Sequence, residues 1–301
     1  MNVRWNYIPA MACVACALFF TSCEQPVTDD DGTDTDEPKV VDGTKVVFNV
    51  CNVEMVPWNS DGYEAGNVTD ISKLCTRIEL AVFDGDNRVT VVRQAAGDAG
   101  FGHVTVGLDE GTYTVVVIAH NGEGSATISS PEQIKFNNNK VTDTFYYCGD
   151  ITVGDETSYD LTLKRAVAMF RLVVKDNVPE KVDRMKFYYT GGSSTFDAVS
   201  GCGCVDSRQT EIRDVPDEAH SSESVYEVYT FPHSDGRTLN VTVSALDASD
   251  KVVDEREFAD VPVERNQVTQ YSGYFFGESP GTGRSFTFTI NEDWSQVDFV
   301  Y

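Results

Sequence analysis

From Lys45 to Val300, apolar and polar residues alternate in short runs with a period of two, the mark of strands that bury one face. "KVVFNV" at 45–50 opens the series. "TRIELAVFD" at 76–84 sets Ile78, Leu80 and Val82 against Arg77, Glu79 and Ala81, which predicts a half-buried strand. The turn residues of "FDGDNRV" and the returning "VTVV" make it the first arm of a hairpin. "GHVTVGL", the turn "DEG" and "TYTVVVIAH" predict a second hairpin. "SYDLTLKRAVAMFRLVV" at 158–174 reads as a strand pair bent near Lys164. "RMKFYYT", "SVYEVYTFP", "LNVTVSALD", "VVDEREF" and "QVTQYSGYFF" continue the pattern. "SFTFTIN" closes it, with Phe286, Phe288 and Ile290 on one face and Thr287, Thr289 and Asn291 on the other. Helix is minor: "TDISKL" offers a cap for a short one at Val68 to Leu74.

Strands at this spacing, broken by Gly, Asp and Asn turns, predict an all-β chain of β-sandwiches. The length leaves room for two domains, with a boundary at Leu163 to Arg165. The expected division is a sandwich over 45–164 and a second over 165–301. No Gly- or Pro-rich linker separates them, so they should be joined closely and move little. The halves use similar hairpins, but no residue-level repeat is visible.

The N-terminus follows a different pattern. Tyr7 to Phe20, "YIPAMACVACALFF", is almost wholly apolar and follows a single cation, Arg4. It is shorter than the ~20 apolar residues a bilayer span needs. It suits the apolar middle of a secretory signal, with the small residues Thr21 and Ser22 before Cys23. Residues 1–22 resemble a bacterial lipoprotein signal, whose cysteine is acylated and becomes the new N-terminus; Phe20 stands where that signal has an aliphatic residue. Cys23 is the expected lipidation site. The acidic stretch that follows, over 23–44, is predicted to be a flexible tether because it has too little apolar surface to offset ordering entropy. Its early acidic residues resemble export signals of Bacteroidetes surface lipoproteins, and a plain periplasmic spacer is the alternative.

Charge narrows the partners. The whole chain carries −25, and removing residues 1–22 with Arg4 makes it −26. Phosphate repulsion argues against nucleic acid, and the same charge argues against lying flat on an anionic bilayer. Cys51, Cys75, Cys148, Cys202 and Cys204 remain in the body, an odd number from which sequence assigns no disulfide, Cys51 to Cys75 included. "GCGC" at 201–204, with His220 and His233 as partners by position alone, lacks the ligand spacing of a structural zinc site, so no metal and no cofactor are expected. Nucleophile elbows, metalloprotease helices and phosphate loops are absent from the sequence. His103 and His120 read as structural or surface histidines, and carboxylate pairs such as Asp84 with Asp86 or Asp254 with Glu255 arise by chance in so acidic a chain. "DGDNR" lacks the later ligands of a calcium loop and reads as a hairpin turn. No enzyme is expected. The aromatics of "FYY" at 145–147, "FYY" at 187–189, "YEVY" at 226–229 and "GYFF" at 273–276 fill a core or, alternatively, form a sugar-stacking platform.

Taken in order, these segments resemble one family. The signal ending in Ser22-Cys23, "IELAVFDGDNRVTVV", "GLDEGTYTVVVIAHNG", "LTLKRAVAMFRLVV", "VPVERNQVTQYSGYFFG" and "FTFTINEDWSQV" are similar to the fimbrial anchor and subunit lipoproteins of Bacteroidales. The resemblance implies two transthyretin-like β-sandwich domains, a lipidated N-terminus on the outer membrane and a place in pilus assembly and cell adhesion, with other fimbrial subunits as partners and a host or bacterial surface ligand as a further one. Stalk subunits of that family are cut after an Arg and lose their first strand, and a neighbour's strand fills the groove. No Arg stands between Arg4 and Arg77 here, which favours an anchor or accessory subunit, with Lys73 left as a basic residue at that place. Phe286, Phe288 and Ile290 mark the candidate strand-exchange segment. A surface glycan-binding lipoprotein is the alternative function.

Overall fold

β-branched and aromatic side chains fill the alternating runs, and they suit a pleated surface with neighbours on both sides. The computed structural model describes residues 43–54, 71–277 and 286–291; the signal-like segment, Cys23 and the acidic tether lie outside them. The first nine strands are β1 (Thr44–Val53), β2 (Arg77–Asp84), β3 (Asn87–Ala95), β4 (His103–Leu108), β5 (Gly111–His120), β6 (Thr127–Ser130), β7 (Gln133–Lys135), β8 (Thr144–Val153) and β9 (Ser158–Arg165). The next five are β10 (Ala168–Val174), β11 (Arg184–Thr190), β12 (Thr195–Asp197), β13 (Cys202–Gly203) and β14 (Arg208–Asp214). The last five are β15 (Ser224–Thr230), β16 (Leu239–Leu246), β17 (Val252–Val261), β18 (Val268–Gly273) and β19 (Phe286–Asn291). Among the described residues helix is confined to 3-10 turns, one of them at Ile71–Lys73 where a short helix was expected.

The first set of strands forms two layers. β1 lies between β4, antiparallel, and β9, parallel. Opposite them runs β3-β2-β5-β8, antiparallel throughout. Phe145 and Tyr146 of β8 pair with Arg165 and Lys164 of β9, so the seven strands make one sheet folded over a core. Val46, Phe48 and Val50 of β1 meet Ile78, Leu80 and Val82 of β2 in that core.

Two expectations are corrected here. β2 is buried on both faces rather than one, with Glu79, Ala81 and Phe83 wholly covered. A second core covers its other side, where Ala81 and Phe83 pack with Ile134, Phe136, Met169 and Phe231. Likewise β4 and β5 do not form a hairpin. β4 alternates exposed and buried residues and takes an edge beside β1, whereas Val115–His120 of β5 are buried on both faces and need the central place between β2 and β8. The hairpin through Gly85 and Asp86 forms as expected, with Gly85 at φ +56°, a conformation that glycine adopts without steric cost.

The second set repeats this framework strand for strand. β10 lies between β15, antiparallel, and β18, parallel, as β1 lies between β4 and β9. The facing layer runs β14-β11-β16-β17, the counterpart of β3-β2-β5-β8. Ala168, Phe170, Leu172 and Val174 of β10 face Met185, Phe187 and Tyr189 of β11 in its core. Three features stand outside the repeated framework. β6 and β7 are inserted before β8, and β12 and β13 before β14. These insertions pair with each other through β7 and β12, giving a four-stranded sheet β13-β12-β7-β6 built from both sets. β19 is the third, an added strand beside β18.

The chain passes between the sets through Ala166 and Val167, both buried. There the Arg165 guanidinium meets both oxygens of Asp143 at 2.7 and 2.9 Å, donates to Asn266 Oδ1 at 3.1 Å, and lies 4.7 Å over the Phe145 ring. Both members of the pair are buried. Arg165→Ala would leave a buried carboxylate without its cation, so urea unfolding should show a loss of about 3–5 kcal/mol. The double variant Arg165→Met with Asp143→Leu should lose much less, because it removes both charges. An equal loss in the two would show that packing volume, not charge pairing, holds the junction.

Candidate strand-pairing site

β19 pairs antiparallel with β18 over six positions, from Phe286 opposite Gly273 to Asn291 opposite Val268. It is the edge strand of the order β15-β10-β18-β19. Its Phe286 ring lies 5.1 Å from Phe258 of β17, edge-on, and Phe258 is 4.8 Å from Tyr271 of β18. Thr287 and Thr289 are exposed. Phe288 falls opposite Tyr271 and Ile290 opposite Thr269, and their side chains lie outside the description. The loop before β19 is tied at its start, where the Asp176 carboxylate accepts the backbone N–H groups of Phe275, Phe276 and Gly277, each at 2.7 Å.

β1, the other apolar terminal strand, has a different setting. It is paired on both sides and buries Val46, Phe48 and Val50 completely. Its Asn49 Nδ2 donates to Asp160 at 2.7 Å, and Asn49 Oδ1 is 3.0 Å from His103 Nδ1. Removal of β1 would split a layer, whereas removal of β19 would shorten one. In the first set the flank of β9 away from β1 is taken by β8, which pairs only with Lys164 and Arg165, and no strand lies there beside Ser158–Leu163 among the described residues. There Tyr159 closes the flank itself: its ring stacks on Phe48 at 5.7 Å and its hydroxyl donates to the Thr152 carbonyl at 2.6 Å. Lys73 is exposed in the 3-10 turn just before β2.

These geometries meet a family signature. A family model of fimbrillin-A associated anchor proteins, Mfa1 and Mfa2, matches residues 42–298. The chain belongs to the Mfa2 family. No curated protein matches it. Among solved structures it resembles a candidate cell adhesion protein of Bacteroides ovatus at 14% identity, covering 83% of this chain and 97% of that one, with a TM-score of 0.51. A candidate adhesin of Bacteroides thetaiotaomicron matches at 12% identity, covering 85% and 98%, with a TM-score of 0.50. The fimbrial anchor protein Mfa2 of Porphyromonas gingivalis matches at 10% identity over 82% and 97%, with a TM-score of 0.38. At such identities the first two likenesses speak for the fold, and the family match supplies the fimbrial assignment.

The other residues singled out in the sequence sit as follows in this Mfa2-family chain. The aromatics are mostly core: Phe145, Phe187, Tyr189, Tyr226 and Phe275 are buried, and Tyr188 is the exposed one of its triplet at 39%. Asp84 and Asp86 flank the exposed hairpin, while Asp254 pairs with Arg256 and Glu255 accepts a hydrogen bond from Ser244. His220 Nδ1 is 2.9 Å from the Val178 carbonyl, and His233 Nε2 is 3.7 Å from Asp206. Among the described residues no group of three or more His, Cys, Asp or Glu side chains is placed to share a metal. No helix among them is long and apolar enough to cross a membrane.

A pair that the sequence did not reveal is Glu79 with His120. Both are buried, and Nε2 lies 3.2 Å from Oε2. The Gly122 N–H donates to His120 Nδ1 at 2.9 Å, which assigns the ring proton to Nε2, facing the carboxylate. Without a route for substrate, this is a polar contact inside the sandwich. It shapes the nearby thiol: burial first, and Glu79 second, push Cys75 up to about 12. Burial, then Asp150, push Cys148 up to about 11. Cys75, Cys148, Cys202 and Cys204 are free thiols, and the side chain of Cys51 lies outside the description.

At pH 8 a thiol of that pKa is ionised to about one part in ten thousand, so Cys75 should resist iodoacetamide in the native state. Cys204, exposed in its loop, should be modified first. Peptide mass spectrometry reads the order. Equal rates at Cys75 and Cys204 would show that the Ile71–Cys75 turn opens readily.

Proposed function

We propose that this Mfa2-family chain is a lipid-anchored accessory or anchor subunit of a surface fimbrium, held on the outer membrane through Cys23 and joined to other subunits by β-strand pairing. The body is read as two transthyretin-like sandwich domains, 45–164 and 165–301. The observation that carries the pairing mechanism is β19: it stands outside the repeated framework, lies at a sheet edge, and is attached on one side. An exchangeable strand must offer main-chain groups to a sheet edge and side chains to a pocket. Phe286 already does so against Phe258, and Phe288 and Ile290 are the further positions of the proposed segment. Central β1 is the poorer donor, because its loss opens a core that contains four fully buried side chains of its own.

Deletion of Ser285 to Tyr301, or Phe288→Asp, should leave the circular dichroism of a folded β protein and abolish co-purification with fimbrial subunits. Normal folding with normal pilus retention in both variants would reject strand pairing at that end. Cys23→Ser should move the protein from the membrane fraction to the soluble fraction, since several buried acyl CH₂ groups at about 0.8 kcal/mol each hold a lipoprotein in place. A variant that still sediments with membranes would reject lipid anchoring.

A further inference from the structure

The two insertions that join the strand sets also frame a cleft of about 430 Å³. One wall is the turn after β7, with Asn138 and Asn139 both at φ +54°, followed by Lys140. The other wall is the run from Ser194 through β14. That volume lies within the range of small-ligand sites, but the lining is polar, with Val205 as its one aliphatic residue.

The charges of the cleft are unequal. Of its two carboxylates, Glu211 meets Arg213 at 2.9 Å, and Asp206 meets Arg237, which it shares with Asp235. Its two cations, Lys140 and Arg208, make no ion pair among the described residues. With their ion-pair partners Arg213, Arg237 and Asp235 counted, four cations stand against three carboxylates, so on a chain of net charge −25 the cleft is a local site of positive charge. Beside the cations stand uncharged hydrogen-bonding groups. Gln209 is 6% exposed, and its Oε1 has no hydrogen-bond partner. Its Nε2 reaches the Asn139 carbonyl at 3.5 Å, the far limit of such a bond. Ser194 and Ser207 are joined twice, Oγ to Oγ at 2.9 Å and Ser194 N–H to Ser207 Oγ at 2.8 Å, and the hydroxyls retain further capacity. A buried amide oxygen without a donor is a cost to the fold, which a ligand hydroxyl brought within reach of it would offset.

We propose that this cleft binds an acidic saccharide unit, its carboxylate facing Lys140 and Arg208 and its hydroxyls bonding Gln209 and the serine pair. A phosphate would satisfy the cations but near neutral pH brings only one or two P–OH donors, whereas a saccharide brings a hydroxyl at several ring positions. A neutral sugar would leave the cations unpaired, and no aromatic ring lines the cleft to stack on it. The site rests on geometry apart from β19, so it stands or falls independently of strand pairing.

The test is calorimetric titration of the full mature chain with digalacturonate and 3′-sialyllactose, against lactose and inorganic phosphate. At least one acidic saccharide should bind with Kd near 1 mM or tighter, more strongly than lactose or phosphate by about tenfold or more, a difference of ~1.4 kcal/mol. The exposed changes Lys140→Ala and Arg208→Ala should each weaken it several-fold, and Gln209→Leu should weaken the saccharide more than any phosphate binding. Equal binding of phosphate or lactose would overturn the proposal, as would acidic-saccharide binding unchanged in the Lys140→Ala, Arg208→Ala double variant. Absence of heat with both acidic saccharides at about 10 mM would also overturn it, since that corresponds to less than ~3 kcal/mol of binding.

Discussion

The buried Arg165 guanidinium is the constraint on which the junction of this molecule depends. A cation in that setting is tolerable only when its hydrogen-bond donors are matched, and Asp143 and Asn266 match them from opposite strand sets while Phe145 covers its face. Asp143 precedes β8, Arg165 ends β9 and Asn266 precedes β18, so one side chain fixes three chain segments at once. The chain crosses to β10 within two buried residues. The two sets therefore share a core, in which Phe83, Phe136 and Ile134 pack with Met169, Phe196 and Phe231, instead of meeting through a linker.

That shared core explains what the inserted strands do. A repeated pair of sandwiches would each present a polar outer face to the other. Here β6, β7, β12 and β13 fill the space between, pair their backbones across the junction, and bury the second face of β2 and β5. The repeated topology supplies the frame, and the insertions supply a continuous interior and a polar cleft at its rim. Loops and insertions held by a rigid frame are where binding groups gather, because the frame's own residues are committed to packing.

The first set also clarifies the standing of β19. Two sets of the same topology differ at one flank. In the first, β8 pairs with the end of β9, and Tyr159 bridges from β9 to the Thr152 carbonyl of β8. In the second, a strand does that work, with Phe286 against Phe258. A side-chain closure is local and permanent. A strand closure rests on backbone pairing that another strand of suitable pattern can reproduce, and the proposed exchange of β19 would use that difference.

Much of this was legible from residue order. Period-two alternation fixed the all-β class and most of the strands, because one-sided burial dictates which residues can be polar. "FDGDNRV" gave the first hairpin, since only a few residues accept its turn. The order of motifs, weak singly, pointed to the fimbrial anchor family that the match over 42–298 establishes. Other features depended on contacts between residues far apart in the chain. Glu79 alternates like a surface residue, yet it is buried, because its cover comes from insertions some fifty residues or more downstream. β4 and β5 look like a hairpin, but partner choice was decided by which strand had two faces to bury. The duplication left no residue-level repeat because a β framework constrains only alternation and pairing, which many sequences satisfy. The cleft was equally invisible: its cations and its unpaired amide, Lys140, Arg208 and Gln209, come together only when the two insertions pair.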